Sequence, residues 1–161
     1  MPDPRLVISN TSPLFYLHRI HAVDLLRQLY TRVNVTKQVL AELAAGGVSI
    51  TSLGSSDWLT TCEIQIPDTL KTVPDLGAGE ASAIALALES SLSPLLLLDD
   101  RLGRRIAALN HLAMTGTAGI LLRAKQQGLV PAIKPLLGKL IQSGFYLRPQ
   151  HIADICSLAG E

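Results

Sequence analysis

Leu95-Leu96-Leu97-Leu98-Asp99-Asp100 joins four consecutive leucines to two carboxylates, and the fold follows from how that junction is read. A short apolar run bounded by polar residues is a strand buried on both faces, the habit of parallel sheets. In open α/β sheets, ligands bind just beyond the carboxyl ends of the strands. Asp99 therefore falls at the edge of a candidate crevice. A second run, Leu6-Val7-Ile8-Ser9-Asn10-Thr11-Ser12-Pro13, also passes from apolar to oxygen-bearing side chains. Glu42 and Glu80 are two further carboxylates set in mainly apolar helical sequence. Oxygen donors gathered in this way suit a hard cation, Mg²⁺ or Mn²⁺.

Working outward from the junction, strands alternate with helices. The first strand is expected over Leu6–Ser9. Helices follow over Pro13–Ile20 and Val23–Tyr30, with Ser12 able to cap the first and Pro13 suited to its first turn. Arg32–Val35 is β-branched and short enough for a strand. Thr36 caps a helix over Lys37–Ala45 that Gly46-Gly47 ends. Val48–Ser56 reads as loop or broken helix, and Trp58–Ile66 as a strand at a sheet edge. Pro67–Asp75 is a turn-rich linker too short to separate domains. Gly77-Ala78-Gly79 opens a helix over Glu80–Ser91, before the Leu95–Leu98 strand. Helices are expected over Leu102–Asn110, from Gly116-Thr117 to Gly128, over Pro131–Ser143 and over Pro149–Ala159. Strands are expected over Leu112–Thr115 and Phe145–Arg148. This alternation predicts βαβ crossovers in one α/β domain over residues 1–161, with a central parallel sheet of about five strands flanked by helices.

The chain has 161 residues, of which 48% are hydrophobic but only 4% aromatic. The core is expected to be Leu, Ile, Val and Ala, and the scarcity of rings argues against a base-stacking platform. Cys62 and Cys156 lie far apart with no Cys-x-x-Cys neighbour, which argues against a zinc site or a disulfide framework and makes a reducing cytoplasm the default compartment. The N-terminus has no secretory pattern, and no apolar stretch approaches the roughly 20 residues of a membrane helix. The net charge of +1 hides an asymmetry. Residues 1–100 carry 6 basic and 11 acidic residues, whereas residues 101–161 carry 8 basic and 2 acidic. A metal site flanked by a phosphate-binding surface has this pattern, and so does a solvated surface with scattered charge.

The strand that starts a doubly wound sheet lies beside the strand where winding reverses. The ends of Leu6–Ile8 and Leu95–Leu98 then become neighbours, and Asn10 and Asp99 face one crevice. Glu80 shares a helix face with Ala83, Ile84 and Ala87, and Glu42 is close to Val39 and Leu43. Each residue also has a purely structural reading. Glu80 suits a first helical turn, Asp99 and Asp100 suit helix caps, Glu42 suits a solvated face, and Asn10 suits its own turn.

Four blocks together carry a resemblance. They are Val7-Ile8-Ser9-Asn10-Thr11-Ser12-Pro13-Leu14, Leu76-Gly77-Ala78-Gly79-Glu80-Ala81, Leu97-Leu98-Asp99-Asp100-Arg101 with Arg104-Arg105-Ile106-Ala107, and Thr115-Gly116-Thr117. In this order they resemble PIN-domain proteins, especially the PIN-like branch of predicted nucleic-acid-binding proteins related to VapC-type toxin ribonucleases. The resemblance implies a Rossmann-like three-layer fold, Mg²⁺- or Mn²⁺-dependent cleavage of RNA, and an antitoxin protein as partner. By position it assigns Asn10 to the place of the usual first aspartate, Glu42 to the glutamate of the third helix, Glu80 to the acid opening the helix before strand 4, and Asp99 to the acid ending that strand. Asp100 becomes an extra ligand or an alternative to Asp99, while Ser12, Thr115 and Thr117 become polar residues flanking the site. Asn10 removes one negative charge, and Glu42, Glu80 and Asp99 still supply three.

The resulting expectation is metal-assisted hydrolysis of RNA phosphodiesters. Asp99 and Glu80 hold the cation, Asn10 contributes directly or through water, and Glu42 acts as ligand or water-orienting base. Arg101, Arg104 and Arg105, at (i, i+3, i+4) spacing, hold flanking phosphates or form a solvated helix face. A different class of function is a degenerate PIN-like module that binds RNA or a protein without cleaving it. A phosphatase would want an Asp-x-Asp motif after the first strand, where Asn10-Thr11-Ser12 stands. The mean hydropathy of +0.33 and the few charges lead us to expect a homodimer.

Overall fold

The computed structural model describes residues 5–54 and 56–161. Five short strands, β1 (Val7–Ser9), β2 (Val33–Thr36), β3 (Leu59–Cys62), β4 (Leu95–Leu97) and β5 (Ala113–Thr115), form one parallel sheet in the order β3-β2-β1-β4-β5. The chain winds outward from β1 through β2 to β3, then crosses back over β1 to β4 and on to β5. Winding therefore reverses between β1 and β4, whose residues pair as Val7 with Leu95, Ile8 with Leu96 and Ser9 with Leu97. Asn10 N–H donates to Leu97 O at 2.9 Å, which carries the pairing one residue past the end of β1.

The four leucines serve two cores. Val7, Leu95 and Leu97 face one cluster with β2, while Ile8, Leu96 and Leu98 face the other. Successive strand residues point to opposite faces, so an uninterrupted apolar run is stable only where both faces are covered. Each fully buried leucine contributes about 1.5–3 kcal/mol.

On the first face lie α1 (Thr11–Arg19), α2 (Asp24–Tyr30), α3 (Lys37–Ala45), α7 (Thr117–Gln126), α8 (Lys134–Gln142) and α9 (Pro149–Leu158). On the second lie α4 (Asp68–Lys71), α5 (Ala78–Glu89) and α6 (Arg101–Leu109). The result is a three-layer α/β fold. Within α5, Gly79, Ala81, Ser82, Ala83, Ala85 and Ala87 are all buried. Small side chains on most sides let this helix lie close to both α3 and the sheet. No helix among the described residues is long and apolar enough to cross a membrane.

Several boundaries differ from expectation. Thr36 caps α3 as expected, its hydroxyl oxygen accepting from Val39 N–H at 3.1 Å. Ser12 caps nothing: α1 begins at Thr11, with Asn10 as the preceding residue. Val48–Ser56 contains a 3-10 turn over Ile50–Leu53 and the start of another over Ser56–Trp58, and Ser55 lies outside the described residues, as does the 1–4 segment from which the N-terminus was read. The Trp58–Ile66 strand shrinks to β3, at the sheet edge. One helical turn, α4, interrupts the Pro67–Asp75 linker, and the Pro131–Ser143 helix starts only at Lys134. Phe145–Arg148 is not a strand. Its alternation is real, because Phe145 and Leu147 pack against the first core while Tyr146 and Arg148 are exposed. The segment lies over helices rather than along an open strand edge, with Phe145 edge-on to Tyr16 at 5.0 Å between ring centroids.

Candidate active site

Where β1 ends, three successive side chains each take one carboxylate. Asn10 Nδ2 donates to Glu80 Oε1 at 2.8 Å, the Thr11 hydroxyl donates to Glu42 Oε2, and the Ser12 hydroxyl donates to Asp99 Oδ2 at 2.8 Å. The acids arrive from α5, α3 and the end of β4. The turn from β1 into α1 fans residues 10–12 around the start of a helix, so one tripeptide reaches three separate elements. Glu42, Glu80 and Asp99 are half-buried, and Asn10 is fully buried.

Backbone donors complete two of these sites. Glu42 Oε1 accepts Gly79 N–H at 2.8 Å, in the first turn of α5. Asp99 Oδ1 accepts Thr117 N–H at 2.7 Å, the first residue of α7, and Asp99 Oδ2 also accepts the Thr117 hydroxyl at 2.6 Å. Helix N-termini carry partial positive charge, and bonds from N–H or O–H to a carboxylate are stronger than neutral ones. This accounts for three like charges meeting at one sheet edge. A buried relay steadies the first turn of α5: the Thr36 hydroxyl contacts that of Ser82 at 2.7 Å, and Ser82 donates to Gly79 O at 2.8 Å.

Glycines leave the room these carboxylates occupy. A Cβ on Gly79 would strike the Glu42 carboxylate, one on Gly77 would strike Glu80 Oε2, and one on Gly116 would lie 2.8 Å from Asp99 Oδ1. Each acid thus has one polar residue of the 10–12 turn on one side and one glycine on another. Composition gave no hint of this pairing. Thr11 and the three glycines are the site residues that sequence reasoning missed, although all four lie inside the blocks that carried the resemblance.

The remaining expected residues divide. Ser12 and Thr117 are at the site, as holders of Asp99. Thr115 is beside it, its hydroxyl against Gly119 and its carbonyl accepting Leu98 N–H at 2.9 Å. Asp100 is the cap of α6, its carboxylate accepting Gly103 N–H at 2.6 Å. Capping of the following helix therefore holds for Asp100, whereas Asp99 takes the first N–H of α7 instead. Arg104 donates from Nη1 to Leu98 O at 2.9 Å and so braces the residue before Asp99. Arg101 and Arg104 line a groove together with Asp99, whereas Arg105 is exposed outside it.

The donor set is all oxygen, which suits a hard cation. Two oxygens are free to take one. Asn10 Oδ1 is buried without a hydrogen-bond partner, and among the described residues Glu80 Oε2 accepts no hydrogen bond. A buried unpartnered carbonyl oxygen is costly, and coordination relieves that cost. Among the described residues no three acidic, histidine or cysteine side chains converge on one point, and these two oxygens are the unpartnered ones at the site.

A five-stranded parallel sheet with half-buried acids at its switch point defines a three-layer α/β protein whose acidic crevice lies at the carboxyl ends of its strands. The family model described as PIN domain matches residues 6–161, nearly the whole chain, and the chain belongs to that family. Its members are generally nucleases and commonly use divalent metal ions. No curated protein matches the chain significantly.

Proposed function

We propose that this protein is a metal-dependent endoribonuclease of PIN type, the toxin component of a toxin–antitoxin pair, which hydrolyses phosphodiester bonds in RNA. The observation that carries the reading is the placement of Glu42, Glu80 and Asp99 around residues 10–12 at the sheet's switch point. Glu80, Asp99 and Asn10 Oδ1 would hold Mg²⁺ or Mn²⁺. Such an ion, when bound, supplies Lewis-acid polarisation of the phosphate and lowers the pKa of a coordinated water.

The chain's own residues divide the remaining work. Glu42 has both oxygens engaged, by Thr11 and Gly79, and orients groups at the centre. Glu80 Oε2 borders the space left by Gly77 and is the carboxylate oxygen that would take the ion, while Oε1 keeps the Asn10 amide. Ser12 and Thr117 hold Asp99 at a defined angle. The homodimer and the antitoxin partner are parts of the same reading, supported by the mean hydropathy of +0.33 and the family match. Sedimentation at micromolar concentration showing only monomer would remove the dimer from it.

One observation favours a second reading, the non-cleaving module. The Asn10 amide already occupies Glu80 in the way a cation would. Incubating the protein with single-stranded RNA and Mn²⁺, beside Glu80→Gln and Asp99→Asn, separates the two. Cleavage that both substitutions abolish supports the nuclease. RNA left intact by the unaltered protein supports the binding module.

A further inference from the structure

The groove beside Asp99 contains the chain's most exposed ring. Of six aromatic side chains, five are buried or half-buried, and Tyr146 is 81% exposed. It shares a groove of about 510 Å³ with Asp99, Arg101, Arg104, Arg148 and His151. The alternation of the extended 145–148 segment explains the arrangement. Phe145 and Leu147 anchor the segment to the core, so Tyr146 and Arg148 project together.

The charges fit the same direction. Among the described residues Arg101 and Arg148 form no ion pair, so two guanidinium groups face solvent beside the acidic centre. Arg104 is committed to Leu98 O. Desolvated stacking on a ring and charge on flanking guanidinium groups are the two requirements of an unpaired nucleotide strand. A duplex offers the charge but keeps its base faces covered. An acidic peptide would use the arginines and leave the ring without a matching face.

We propose that this groove is a subsite for single-stranded RNA, in which one unstacked base lies on Tyr146 and adjacent phosphates lie on Arg101 and Arg148. The proposal rests on the ribonuclease reading, since it supplies the strand that reaches Asp99. It is compatible with the expectation drawn from composition: scarce aromatics argue against a broad stacking platform but leave one ring where it can act.

The test measures binding of a short fluorescein-labelled single-stranded RNA in EDTA, where hydrolysis plays no part. Tyr146→Ala is expected to weaken binding about tenfold, within the range for loss of one base–ring stack. Tyr146→Trp is expected to restore it, and the exposure of the site makes both variants compatible with folding. Arg148→Ala should weaken binding and lower the salt slope by about 0.7. Binding of a blunt double-stranded RNA should be indifferent to Tyr146→Ala. The proposal is overturned if Tyr146→Ala binds single strands as tightly as the unaltered protein, or if it weakens duplex binding equally. Polyglutamate binding that depends on both Tyr146 and Arg148 would likewise overturn it in favour of a protein partner. Ring-dependent binding without any cleavage in Mn²⁺ would sustain the subsite while removing the nuclease. Cleavage with unchanged KM in Tyr146→Ala would do the reverse.

Discussion

Asn10 Nδ2 donates to Glu80 Oε1 at 2.8 Å, so an amide stands opposite a carboxylate where two carboxylates would repel. This bond sets the charge of the site and fixes the amide's orientation, because the reversed amide would set oxygen against oxygen. It also leaves Asn10 Oδ1 as the buried acceptor without a partner.

Asn10→Asp should therefore behave differently with and without metal. In EDTA the new carboxylate faces Glu80 in a poorly screened environment and lowers the melting temperature. Mn²⁺ should restore it, and should raise the cleavage rate above that of the unaltered protein. Thermal scans with and without Mn²⁺, read beside an RNA cleavage assay, check this. Destabilisation that metal leaves unrelieved, with no gain in cleavage, would count against a cation at this position.

Gly79→Ala should separate activity from stability. The added Cβ meets only the Glu42 carboxylate, which can swing away at the cost of its bonds to Thr11 and Gly79 N–H. That loss is partly offset by the better helix propensity of alanine, so the melting temperature should fall modestly. The displaced carboxylate loses its alignment, and small misplacements at a reacting centre cost up to about a hundredfold. Parallel measurement of melting temperature and turnover would show it. A large loss of stability would mean that Glu42 cannot move and that α5 shifts instead.

Glu80→Gln and Asp99→Asn should both reduce cleavage at least about a hundredfold but differ in stability. Asp99 accepts three donors, from Ser12 and twice from Thr117, and weakening these charged hydrogen bonds costs about 1–3 kcal/mol. Glu80 accepts one, which a glutamine oxygen can still accept from Asn10. Urea unfolding of the two variants should rank Asp99→Asn as the less stable.

Glu161 closes the start of α8, accepting Ile133 N–H at 2.7 Å and Lys134 N–H at 3.2 Å, with Lys125 Nζ at 3.5 Å. Chiefly the Ile133 bond, with Lys134 and Lys125, holds its carboxyl below the usual glutamate range. A lowered folded-state pKa stabilises at pH above the unfolded value, and the gain disappears as pH falls through the folded one. Glu161→Gln should thus lower the melting temperature at neutral pH and converge with the unaltered protein in acid. A difference that persists undiminished at pH 2 would assign the contribution to packing.

How much of this was legible beforehand depends on the range of the interaction concerned. Leu95–Leu98 declared a strand covered on both faces, and Thr36 declared its cap, because strand burial and helix capping are written in adjacent residues. The neighbourhood of β1 and β4 also followed, since doubly wound sheets reverse at the strand that starts them. The acids at 42, 80 and 99 could be proposed on the same basis, together with the resemblance of their flanking blocks.

Which donor holds which acid could not be read, because each bond joins residues 70, 31 or 87 positions apart and depends on how β1, α3, α5 and β4 meet. The same limit separates Asp99 from Asp100: adjacent and identical in the chain, one turns toward α7 and the other caps α6. Phe145–Arg148 shows it once more. Alternation specifies an extended segment with one apolar side, but a strand also needs an open edge alongside it. Tertiary packing instead laid this segment over helices, half-burying Phe145 and Leu147 and turning Tyr146 and Arg148 into the groove beside Asp99.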